Sequence, residues 1–88
     1  MNYQISEIQI IAIRPKDGLV GFASFVLDDV FYFSSVAIHT KLDGSGYRLT
    51  YPTKKVGNSS MSLFHPLTKE LSKAIEKALL SRFMKLQG

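Results

Sequence analysis

Arg48 and the stretch Pro52-Thr53-Lys54-Lys55 hold the residues best suited to chemistry in this chain. Proline fixes its own φ, so the two lysines that follow have less conformational freedom to lose on binding. Ammonium groups presented in this way neutralise phosphates, and phosphate contacts supply most sequence-independent affinity for nucleic acid. A second basic set, Lys69, Lys73 and Lys77, recurs every four residues. That spacing places like charges on one side of a helix, at a cost of about 0.2–0.5 kcal/mol per pair. With Glu70 and Glu76 interleaved, the set reads as a solvated helix face.

The other polar candidates point to structure rather than catalysis. His65 lies near Ser60 and Ser62, but no acidic residue stands close in sequence to orient an imidazole base. His39 is isolated, and two histidines without an acidic cluster make a poor metal site. Both are expected to be hydrogen-bonded structural histidines. Asp28 and Asp29 are neighbours whose side chains diverge, which suits a turn and not an acid/base pair. Gly44-Ser45-Gly46 lacks the Lys-Ser/Thr of a phosphate loop. Tyr32, Tyr47, Tyr51 and the phenylalanines fall mostly at core spacing. Tyr51, beside Pro52 and the lysines, is the one expected to be free to stack on a base.

Composition narrows the classes further. The chain has 88 residues and no cysteine, so a disulfide framework, a thiol nucleophile and a Cys-ligated zinc are excluded. Residues 1–88 are expected to form a single domain. A formal charge of +4 permits a polyanionic partner without demanding one. No apolar run approaches the roughly 18 residues of a membrane span. The first residues show no basic stretch followed by an apolar one, so a cytoplasmic protein without a secretory signal is expected. No cofactor, metal or small-molecule substrate is implied.

The elements that must position these residues can be read from periodicity. Gly18–His39 contains two apolar, β-branched and aromatic runs flanking Asp28-Asp29, a hairpin at the centre of a sheet. Asp-Asp lacks the glycine that a primed turn prefers, so a loop one or two residues longer is expected. Tyr3–Arg14 reads as a preceding strand, closed by a Pro15-Lys-Asp-Gly18 turn. After a flexible loop at Lys41–Gly46, Tyr47–Tyr51 alternates as a fourth strand that Pro52 ends. Thr53–Ser60 reads as a polar loop and Met61–Phe64 as a short fifth strand. Thr68 is a plausible N-cap for a helix to Leu86. Leu71, Ile75, Ala78, Leu79, Phe83 and Leu86 line one side of it, and Leu80 and Met84 lie on the far side.

Three stretches in order resemble one family. They are Phe22-Ala-Ser-Phe-Val-Leu-Asp-Asp-Val-Phe31, Gly46-Tyr-Arg-Leu-Thr-Tyr-Pro-Thr-Lys-Lys55 and His65-Pro-Leu67. They are similar to the stage V sporulation protein G family, the septation regulators, over roughly residues 5–80. The resemblance implies a small α+β homodimer that binds DNA or RNA and regulates expression in bacteria. The family's Pro-Ser-Lys-Arg segment falls on Pro52, Thr53, Lys54 and Lys55. Departures occur at Ser34–Ala37, at Arg48, which stands where the family is usually aromatic, and at Lys55, which lacks the bidentate fork of arginine.

The combined expectation is an α+β domain, a mainly antiparallel sheet of four to five strands with one C-terminal helix packed on it. Its function is nucleic-acid binding through Lys54, Lys55, Thr53 and Arg48, with Leu80 and Met84 in a homodimer interface. The competing expectation is a non-catalytic protein-interaction module that uses a sheet edge or the Leu80/Met84 patch.

Overall fold

The computed structural model describes residues 2–87. Four strands form one antiparallel sheet in sequence order: β1 (Ile5–Lys16), β2 (Leu19–Leu27), β3 (Phe31–Thr40) and β4 (Tyr47–Thr50). β5 (Thr53–Val56) and β6 (Ser59–Ser62) pair only with each other, and α1 (Lys69–Gln87) closes the chain. The fold is α+β, with α1 on one face of the four-stranded sheet.

Side-chain alternation sorts each strand into a covered and an uncovered face. Ala23 and Phe25 of β2 and Val36 and Ile38 of β3 point at the helix, which returns Ile75, Leu79 and Phe83. Phe25, Ile38, Leu79 and Phe83 are each no more than 1% exposed. Gly21 is needed at this interface because a Cβ there would lie 2.9 Å from the Ile11 carbonyl oxygen of the adjoining strand. The Thr68 hydroxyl caps the helix by accepting from the Leu71 N–H (3.1 Å), and Thr68 O accepts the first helical bond from Ser72 (3.0 Å).

The turns obey the chemistry of their residues. Lys16 pairs directly with Leu19, so Asp17-Gly18 alone makes the first turn, both at positive φ, as a primed two-residue turn requires. The first strand therefore runs two residues past the expected Arg14, and Pro15 is tolerated because β1 is an edge strand. Between β2 and β3, Leu27 pairs with Phe31, which leaves the expected longer connection of residues 28–30. Asp28 and Asp29 hold φ of 52° and 59°, and Val30 N–H donates to Leu27 O (3.0 Å). Asp28 also fastens the incoming chain: its carboxylate accepts from Gln4 N–H (2.8 Å), and its own N–H donates to Gln4 O (2.7 Å).

Two expectations change. The stretch 53–60 is not a loop but most of a β-ribbon, and the fifth strand begins at Thr53 rather than Met61. Leu86 leaves the buried stripe and is 60% exposed, because the last turn of α1 runs beyond the residues that cover Phe83 and Leu79.

Candidate nucleic-acid interface

The β5–β6 ribbon carries the predicted basic segment, and its register decides where each side chain points. Lys54 stands opposite Met61, Lys55 opposite Ser60, and Val56 opposite Ser59. Opposed residues share a face and successive residues alternate. Lys54 therefore projects from one face of the ribbon with Val56 and Met61, while Thr53 and Lys55 project from the other. Sequence reading set the two lysines side by side in a loop; the strand separates them. Every residue of both strands is exposed, and positions 53–62 contain no Asp or Glu.

The ribbon is anchored at its base. Leu63 N–H donates to Pro52 O (3.0 Å), and Phe64 packs its ring on Phe33 (4.8 Å between centroids) and edge-on to Tyr51 (6.0 Å, 71°). The Ser62 hydroxyl and His65 Nδ1 share a hydrogen bond of 2.9 Å in the segment that leaves β6. Gly57-Asn58 makes the tip, with Gly57 at φ 62°. That dipeptide is a hairpin signal, hidden because the strands on either side are polar throughout and show no apolar alternation.

Tyr51 turns out to support the ribbon rather than present a ring. It is half-buried against the core, and that burial, with a smaller contribution from Glu76, pushes its hydroxyl pKa up to about 12. Arg48 is placed elsewhere again. It pairs with His39 across β3–β4 and lines a surface hollow with Lys41, Leu42 and Asp43. Asp43 accepts from the Ser45 hydroxyl (2.7 Å) and N–H (2.9 Å), which hold its carboxyl below the usual carboxylate range. The hollow that Arg48 lines does not include Lys54 or Lys55.

His39 is hydrogen-bonded as expected, sharing 3.0 Å between its Nε2 and the Thr50 hydroxyl. Lys69, Lys73 and Lys77 are all exposed. Leu80 and Met84 differ: Leu80 is half-buried against the core, whereas Met84 is 57% exposed. Among the described residues no three His, Asp or Glu side chains form a group that could hold a metal ion. No helix among them is long and apolar enough to cross a membrane.

The uncovered sheet face carries aromatic rings that core spacing does not predict. Tyr32, at 66% exposure, stands on it opposite Val26, and Phe22 stands on it between Ile11 and Ala37. A period-two reading misses this because β3 carries a bulge: Ser35 has φ 64°, and the register with β2 shifts between Ala23 and Phe25.

No family model matches the chain. A curated protein of Treponema denticola named putative septation protein SpoVG is 26% identical over 84 residues, covering 93% of this chain and 87% of the relative. The likeness runs through nearly the whole chain, in agreement with the resemblance carried by the three motifs.

Proposed function

We propose that this distant relative of a septation protein is itself a regulator of that type, a homodimer that binds nucleic acid through its β5–β6 ribbon. One observation carries the reading: an exposed two-stranded ribbon has a lysine on each face and no carboxylate. A two-stranded ribbon fits the major groove of a duplex, about 12 Å wide. Lysines on opposite faces then meet phosphates on opposite walls, and the separation of Lys54 from Lys55 becomes useful. The name of the relative and the net charge of +4 support the same reading. Exposed Met84 and Leu86 supply apolar surface at the end of α1 for a second copy to cover.

Salt dependence of binding to duplex DNA tests this. Each phosphate neutralised contributes about −0.9 to the slope of log affinity against log salt. Lys54→Ala/Lys55→Ala in a dimer should therefore reduce the slope by roughly 2–4 units. Lys73→Ala/Lys77→Ala serves as the control and should leave the slope unchanged. Loss of slope in the control alone moves the contact to α1. Wild-type protein that binds no DNA or RNA at low salt ends the reading, and an apolar protein-interaction module replaces it.

A further inference from the structure

We propose that the uncovered face of the four-stranded sheet is a stacking platform for unpaired RNA bases, with Tyr32 and Phe22 as its two rings. The proposal deepens the nucleic-acid reading and rests on it, but it uses a surface separate from the ribbon. Helix α1 covers only the opposite face of the sheet. On the uncovered face Phe22 and Tyr32 line one hollow of about 370 Å³ together with Gln9, Ile11, Ser24 and Ser34. Phe22 is half-buried and therefore fixed in place, while Tyr32 is 66% exposed. A large exposed ring on a central strand has no packing role to explain it. Rings on a sheet surface offer their faces to nucleobases, and every base has a face to stack.

The rest of the surface favours a polyanion over a second copy of the chain. Register turns no Asp or Glu to the paired positions of this face, while Arg48 lies along its β4 margin. Between the rings the groups are uncharged: the hydroxyls of Ser24 and Ser34 and the amide of Gln9. Such groups exchange hydrogen bonds with base edges and with the ribose 2′-hydroxyl, which tells RNA from DNA. Bases in a duplex are already stacked, so this surface selects an unpaired strand.

Fluorescence anisotropy of a labelled, unstructured RNA octamer tests the platform, alongside the same octamer in a duplex and its DNA counterpart. The part of the affinity that depends on Tyr32 should be larger for unpaired RNA than for either. Tyr32→Ala removes one stack and should weaken RNA binding about 5- to 100-fold. Tyr32→Phe keeps the ring and should stay within roughly twofold of wild type. Tyr32 is exposed, so its variants keep the fold; Phe22→Leu keeps the apolar bulk at the half-buried site and should also weaken binding. Unchanged affinity in Tyr32→Ala overturns the proposal. So do an equal loss of duplex or DNA binding in Tyr32→Ala, or a change of oligomeric state in that variant, which would assign the face to contact between copies. If Tyr32→Ala binds normally while Lys54→Ala/Lys55→Ala still loses salt slope, the platform falls and the ribbon reading stands. If no nucleic acid binds at all, both fall.

Discussion

The β2–β3 hairpin and the β5–β6 ribbon are both antiparallel pairs joined by short turns, yet they are held by different means. The first is sandwiched between neighbouring strands and a helix, and its covered side chains are almost wholly buried. The second has eight paired residues and not one of them buried. An isolated two-stranded hairpin is marginal in water. The ribbon keeps its shape through Gly57-Asn58 at the tip and Pro52, Leu63 and Phe64 at the base. In the sheet, residue choice answers to packing. In the ribbon no side chain is buried, so residue choice is left largely to what the ribbon touches.

One pair of substitutions can break this comparison outright. Phe25→Asp places an unpaired charge in the core, at a cost of several kcal/mol, against a total stability of about 5–15 kcal/mol for a domain. Circular dichroism should show it unfolded. Val56→Asp puts the same charge on the ribbon and should change stability by less than about 0.5 kcal/mol. Equal melting temperatures for the two variants would erase the distinction between the regions.

A smaller effect sharpens the description of the packed region. Gly21→Ala forces a methyl group against the Ile11 carbonyl, and backbone cannot rotate aside as a side chain can. Overpacking of this kind costs about 1–3 kcal/mol, readable as a lower denaturant midpoint with an unchanged slope.

The smallest effect lies where the two regions meet. The Tyr51 hydroxyl is pushed up to about 12 from the ordinary tyrosine value of 10.0, so the folded state holds the phenolic proton more tightly than the unfolded chain. Its contribution to stability is complete below pH 10 and is lost as pH rises through about 12. Tyr51→Phe cannot ionise, so the gap between it and wild type should shift in the variant's favour over that window. Parallel alkaline unfolding curves would show that Tyr51 is not buried as described.

What could be read without coordinates follows from the same contrast. Apolar alternation marked the β2–β3 hairpin, and three-to-four spacing marked the helix and its Thr68 cap, because those elements bury side chains. The ribbon buries none, so its strands looked like loop, and the opposed orientation of Lys54 and Lys55 was lost with them. Bulges hide faces in another way: an extra residue at Ser34-Ser35 changes the parity of β3, and Tyr32 rather than Tyr51 carries the exposed ring. Nearness in sequence groups Arg48 with the lysines, whereas the fold sets it on β4, in a hollow that they do not line. Helical spacing pairs Leu80 with Met84, yet Leu80 packs against the core and Met84 is exposed.

The position of β1 at the edge of the sheet has a consequence for the handling of the protein. Ile8-Gln-Ile-Ile-Ala-Ile13 is uncharged, rich in isoleucine and free of Pro and Gly, the signature of segments that stack into cross-β fibrils. Only β2 covers one side of it; the other side is the outermost strand edge of the sheet. Its ends are blunted by the irregular backbone at Glu7, φ 48°, and by Arg14-Pro15-Lys16. Between those guards six residues offer a template to any chain that arrives extended. Replacement of Pro15 would lengthen the template, and turbidity on storage would be the first sign.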